Sequence, residues 1–341
     1  MRKICGVLFS LKQSMNRLTI YNLMSWDIVL IEELAMKVLV TGGAGFIGHH
    51  IALHLDREGF EVSVLDSLQR ANPLAITRLR ESGIPLIVGD VRTFQEYGGF
   101  DIVVHAAALV NVEESIRNPL EYYDVNIMGT ARVGYECSKN KIRLIYLSSA
   151  AVYGEPVKTP VSERDPVNPL SPYGLSKLVG EQILGNYSRI YGLKHVSLRL
   201  FNVYGPGQNP SYAGVISRFL TNAIEGKSLE IYGDGFQTRD FIHVEDVARV
   251  VEKFISQDIF DDEVYNVGTG IGTRIMDLAR MIIEISGRSV DIVFKPARAG
   301  EVRHSVADIS KLRERISFTP TSLKDGVSKL LRTILGSKAL Q

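Results

Sequence analysis

Cysteine is nearly absent: Cys5 and Cys137 are the only two in 341 residues. They form no C-x-x-C pair and no ligand spacing, and the seven histidines are scattered, so the chain offers no metal cage. A reducing, cytoplasmic setting is the default for such a composition. Long hydrophobic runs are missing as well. No stretch reaches the roughly 20 apolar residues that a membrane-spanning helix needs, which excludes a membrane partner. Nor does one sign of charge dominate: 39 Lys and Arg stand against 38 Asp and Glu, so no basic excess draws nucleic acid, and any anionic ligand must be held by a local cluster. What remains is an ordinary globular composition, long enough for a sizeable core and a second, smaller lobe.

Residues 1–35 precede the first strand and are read as an N-terminal extension outside the core fold. Ile4–Leu11 behind Arg2-Lys3 faintly resembles a signal peptide, but it is short, and Lys12 and Arg17 follow without a small-residue cleavage site. Met36 is the preferred natural start; an added helix docked on the surface is the alternative.

The chain is organised around residues 37–48. Val38, Leu39 and Val40 form a continuous apolar strand of the kind buried on both faces of a parallel sheet. A glycine-rich turn follows, and then helical spacing begins with Ile47, Ile51 and Leu55. Gly42, Gly45 and Gly48 are spaced G-x-x-G-x-x-G: the first permits the tight turn, the second lets backbone approach a pyrophosphate, and the third allows close helix packing. The helix start at Phe46 and Ile47 offers unpaired N–H groups to phosphate. Asp66 closes a second strand, where a carboxylate accepts both ribose hydroxyls and repels a 2′-phosphate. The pattern predicts NAD as cofactor, in preference to NADP.

Strand-like runs at 37–41, 61–65, 85–88, 101–104, 143–147, 196–200 and 263–267 alternate with helical stretches. That order predicts an α/β fold, a Rossmann-type doubly wound parallel sheet with a smaller C-terminal substrate-binding lobe. The expected division is 36–203 plus 231–267 for the NAD-binding domain and 204–230 plus 268–341 for the lobe. Asp90, with Val91, ends the third strand and faces the adenine edge in this reading. Ala106, Ala107 and Ala108 let backbone pass close to the cofactor after the fourth strand. His105 there is read as structural. A helix is expected over 120–139, with Asn126 orienting backbone near the site.

The fifth strand ends in Ser148-Ser149, at the sheet edge where ligands of open α/β folds bind. Tyr173 and Lys177 lie four apart on a helix and share a face. An adjacent ammonium and an oxidised nicotinamide favour the phenolate, which lowers Tyr173 towards a usable base. Ser149 can hydrogen-bond the same substrate hydroxyl and help relay its proton.

With Ser148-Ser149-Ala150-Ala151-Val152-Tyr153-Gly154, Tyr173-x-x-x-Lys177, Leu200 to Pro206, Gly233 to Val244 and Arg298-Ala299-Gly300-Glu301, the chain resembles an extended short-chain dehydrogenase/reductase. Within that superfamily it is similar to UDP-galactose 4-epimerases and their nucleotide-sugar relatives, over about 36–335. The resemblance implies reversible C4 epimerisation of a UDP-sugar through a 4-keto sugar. Tyr173 is then the base, Lys177 binds the nicotinamide ribose, and Ser149 stabilises the reacting oxygen. It maps Arg239 and Arg298 onto diphosphate contacts, in keeping with planar guanidinium chemistry. Asn202 leaves a strand beside the site and presents its amide to sugar or phosphate. Glu301 stands where relatives commonly have Asp as a ribose contact. Ser305 falls where a small residue admits N-acetylated hexoses. Relatives are commonly homodimers, with the helices near 120–139 and 174–191 forming a bundle. A dehydratase or decarboxylase of the same superfamily is the nearest alternative; those usually carry acidic residues where this chain has Ala150 and Ala151. Epimerisation of uronic acids is left open by these residues. A non-catalytic NAD-binding scaffold requires loss of the Ser/Tyr/Lys set, and all three are present.

Overall fold

The computed structural model describes residues 35–208, 214–297 and 302–338; the extension read at 1–35 lies, up to residue 34, outside them. Seven parallel strands form the main sheet: β1 (Lys37–Thr41), β2 (Glu61–Asp66), β3 (Leu86–Val88), β4 (Ile102–His105), β5 (Arg143–Ser149), β6 (His195–Leu200) and β10 (Val264–Val267). Their order is β10-β6-β5-β4-β1-β2-β3. Each coincides with an expected strand to within two residues at either end. Val38, Leu39 and Val40 are fully buried, as a central parallel strand requires.

Helices cover both faces. On one, Phe46–Arg57 packs against Val244–Ser256 over a core containing Val40, Ile51, Val104 and Val251. On the other, Gly129–Asn140 packs against Pro172–Tyr191 over Leu39, Val103, Val133 and Leu184. Strand order reverses at β1, which has β2 on one side and β4 on the other. The loops after β1 and β4 therefore diverge and open a crevice, the usual ligand position in this architecture.

Two smaller sheets build the second lobe. One joins β7 (Asn202–Tyr204), β9 (Thr238–His243), β11 (Gly272–Arg274) and β13 (His304–Ser305); the other pairs β8 (Leu229–Tyr232) with β12 (Ile292–Lys295). A separate core of Phe219, Leu220, Ile231, Leu278, Ile282 and Val327 underlies them. Within 231–267, which the sequence reading assigns to the NAD-binding domain, β9 pairs with β7, β11 and β13 and not with a strand of the main sheet. Only the helix Val244–Ser256 and β10 return to the large domain.

The helix expected over 120–139 is not continuous. It runs as Pro119–Tyr122, a π-helical turn Tyr123–Met128, and Gly129–Asn140. The wide turn carries Asn126 into the interior, where it is fully buried.

Candidate active site

A cavity of about 480 Å³ follows the crevice, and its walls bring together residues from six strand ends. At one end lie Gly42, Gly45, Phe46, Ile47, Gly48, Asp66, Asp90, Val91, Ala106, Ala107 and Ala108. Gly42 has φ +67°, and a Cβ there would stand 2.6 Å from the Ala107 backbone, because the loops after β1 and β4 touch at this point. A Cβ on Gly48 would lie 2.3 Å from the Gly42 carbonyl oxygen, so the third glycine packs against the turn itself. No side chain caps the helix beginning at Phe46, which leaves its first-turn N–H groups to an anion. Asp66 accepts the N–H of Ala44 at 3.0 Å and of Leu68 at 2.8 Å, one on each oxygen. Burial raises its pKa while those two bonds hold it down. An uncapped helix start, a cradle with no room for side chains and an anchored carboxylate fit a dinucleotide's pyrophosphate and ribose.

Asp90 lines the cavity as expected, and its carboxylate is paired with Arg92 at 2.5 to 3.1 Å. That guanidinium holds the Asp90 carboxyl below its usual range. Asn126 does not reach the cavity wall. Its amide accepts from Leu109 N at 2.8 Å and donates to Leu109 O at 3.0 Å and to Ser176 Oγ at 2.9 Å. Its action is on the strand-end loop, through Leu109, and not on the cofactor directly. His105 is structural as expected, bonded to Thr41 and Thr130 on its two ring nitrogens and lowered by burial to about 3.

At the other end of the cavity stand Ser149, Tyr173, Lys177 and Asn202. Three successive residues of β5 meet three residues spaced four apart on the helix Pro172–Tyr191. The Leu147 carbonyl accepts from Lys177 Nζ at 2.8 Å, Ser148 donates to Glu181 Oε1 at 2.5 Å, and Ser149 bonds Tyr173. Ser149 Oγ accepts the N–H of Ala151 at 3.1 Å, which leaves its O–H free to point at the phenol. Burial raises the Tyr173 phenol, and Ser149 is the group that opposes the rise. Lys177 is turned beneath the site, onto Leu147 O and over the Tyr146 ring at 5.0 Å, and burial brings it down to about 7 against the pull of Glu181.

A second cavity of about 300 Å³ shares Asn202 with the first. Arg239 lines it, as do Arg218, Tyr232, Gln237 and Phe241. Arg239 donates to the Thr238 and Arg303 carbonyls at 3.0 and 3.3 Å, while Arg218 lies over the Tyr232 ring at 5.8 Å. Ser305 sits in β13, in register with Arg239. Arg298 and Glu301 lie outside the described residues. Sequence reasoning missed Arg218, which reads as one surface charge on an amphipathic helix, and Tyr232, which reads as a strand end. The chain just after β7 is tied to the cofactor side: His50 donates to Pro206 O at 2.9 Å and Asn72 to Gly207 O.

Residues 38–268 match the NAD dependent epimerase/dehydratase family. The chain belongs to that family. NAD is its cofactor, and the sheet carrying the glycine turn is the family's Rossmann-type fold. Among similar proteins is a putative UDP-glucose 4-epimerase of Methanocaldococcus jannaschii, 38% identical over 86% of this chain and 97% of its own length. Two solved structures resemble it closely. A UDP-glucose 4-epimerase with UDP-glucose from Thermotoga maritima superposes with TM-score 0.83 at 34% identity, covering 90% of this chain and all of that one. A UDP-N-acetylglucosamine 4-epimerase from Methanobrevibacter ruminantium gives TM-score 0.84 at 33% identity, covering 89% and 99%. Among the described residues, no group of His, Cys, Asp and Glu is placed to hold a metal, and no helix is long and apolar enough to cross a membrane.

Proposed function

We propose that this epimerase-family enzyme interconverts UDP-galactose and UDP-glucose at C4. The observation that carries the reading is Ser149, Tyr173 and Lys177 converging on the end of the cofactor cavity, with Asn202 leading into the second cavity. That second cavity, with Arg239 and Arg218, suits a nucleoside diphosphate: guanidinium groups bind phosphate through paired donors. NAD, when bound, supplies a reversible hydride acceptor for C4. Tyr173 takes the proton of the 4-hydroxyl and later returns it. Ser149 keeps the same oxygen within reach of the phenol, and Lys177 holds the ribose side and the strand end together. The nucleotide, anchored in the second cavity, lets the 4-keto sugar turn over between the two proton transfers. The family also contains dehydratases, which need an acid or base beside C5 and C6. Ala150 and Ala151 stand after Ser149 here and can supply neither, which favours epimerisation.

Proton NMR of UDP-galactose with purified protein and no added nucleotide tests this. UDP-glucose is expected to accumulate to a fixed ratio. A 4-keto-6-deoxy product would replace the proposal with dehydration. No turnover after NAD is supplied would move the substrate to UDP-N-acetylhexosamines, which the small Ser305 admits in this reading, or to UDP-uronates.

A second copy of the chain is proposed to cover the outer face of the helices between 112 and 140 and of Pro172–Tyr191. Ile116, Leu120, Met128 and Ile190 are exposed there, Leu120 at 78%. Sedimentation is expected to give twice the chain mass; a monomer at micromolar concentration refutes it.

A further inference from the structure

The adenosine end of the cofactor cavity carries two arginines that neither the glycine turn nor the reacting group uses. Arg70 follows Asp66 by four residues and lines the same wall. Its guanidinium forks onto both oxygens of Glu114, each at 2.6 Å, with Glu121 at 3.6 Å. Arg92 is held in a similar way by Asp90 and Asp124. The carboxylate at the end of the second strand selects the ribose hydroxyls of NAD, and a nearby arginine is what accommodates the 2′-phosphate of NADP. The chain thus holds an arginine of the right kind beside Asp66, with its fork already filled.

Glu114 is placed by the fold and not by Arg70. It lies in the first turn of the helix Val112–Arg117, its N–H bonded to the Asn111 side chain at 3.0 Å, and the Tyr122 hydroxyl donates to its Oε2 at 3.3 Å. Arg92 is the weaker candidate for a phosphate ligand, because Asp90, two residues before it, takes both its guanidinium and its N–H.

We propose that Glu114 is a cofactor-selectivity residue: by withdrawing Arg70 from the ribose 2′ position, it makes NADP refusal depend on two carboxylates instead of Asp66 alone. The proposal rests on the adenosine ribose lying at Asp66. Removing Asp66 by itself ends a repulsion but supplies no ligand for the added phosphate. Removing Glu114 as well releases one.

The test is calorimetric titration of NAD and of NADP into the wild type, D66N, D66N/E114Q and D66N/E114Q/R70Q, each first stripped of any retained nucleotide. NADP is expected to bind D66N/E114Q at least about tenfold more tightly than D66N, the worth of one recovered charge-assisted hydrogen bond, and R70Q is expected to erase that gain. Equal NADP affinity in D66N and D66N/E114Q, or a gain that survives R70Q, overturns the proposal. NAD binding that is unaffected by D66N overturns instead the placement of the ribose at Asp66. Unfolding midpoints without nucleotide show that each variant is folded, and E114A repeats the comparison with the amide removed.

Discussion

Tyr173→Phe is expected to lower kcat for UDP-galactose epimerisation by at least about a hundredfold, within the usual worth of a positioned acid–base group, with KM little changed. The substitution removes only the phenolic oxygen, so the half-buried ring keeps its packing and the helix its face. What disappears is the one group that touches both Ser149 and the reacting hydroxyl. Burial raises the phenol, so at neutral pH Tyr173 can take the substrate proton only as the phenolate, which the positive charge of a bound, oxidised nicotinamide would favour. Burial lowers Lys177 to about 7, and Glu181 opposes the fall. Steady-state rates for the wild type and the variant decide the matter. A loss smaller than about fivefold excludes Tyr173 as the proton-transfer group, since even weak general bases contribute more than that.

The seven strands of the main sheet and its Rossmann-type class were legible because they follow from short-range pattern. Val38 to Val40 and Ile102 to Val104 are apolar without interruption, which buried parallel strands demand. Gly42 and Gly48 occupy positions where a Cβ collides with backbone, so residue type there reports geometry directly. The four-residue interval from Tyr173 to Lys177 reports a shared helix face. Other features depended on partners far apart in the chain. Asn126 forces a π turn because its amide must meet Leu109, 17 residues back, and periodicity alone cannot register that demand. Arg218 becomes a lining residue only when β8 brings Tyr232 beneath it. The pairing of β9 with β7 and β13 joins segments far apart in the chain, which hydrophobic alternation does not specify. A shared helix face likewise says that Lys177 is near Tyr173, not that its ammonium also bonds the Leu147 carbonyl.

Glu181→Ala and Arg199→Met are each expected to destabilise the protein by about 3–5 kcal/mol, the cost of leaving one buried charge without its partner. Glu181 accepts from Arg199 Nε at 3.0 Å and from Nη2 at 2.7 Å, and both residues are buried. Arg199 also lies over the Tyr153 ring at 4.8 Å. The double variant Glu181→Met with Arg199→Met should be less destabilised than either single one, because it removes both desolvation costs together. Denaturant midpoints measure all three, and a double variant as costly as the sum of Glu181→Met and Arg199→Met measured singly would show that the two charges are not coupled, against this expectation. The pair has a second consequence at the site. Glu181 anchors Ser148, which lies between the residue that receives Lys177 and the residue that bonds Tyr173. Losing the carboxylate therefore frees the β5 end at its middle, and Glu181→Ala should lower kcat even where the protein remains folded. Glu181→Gln keeps an acceptor for Ser148 and should recover most of that rate but little of the stability. Such a split separates the positioning of Ser149 and Tyr173 from the burial of charge beneath them.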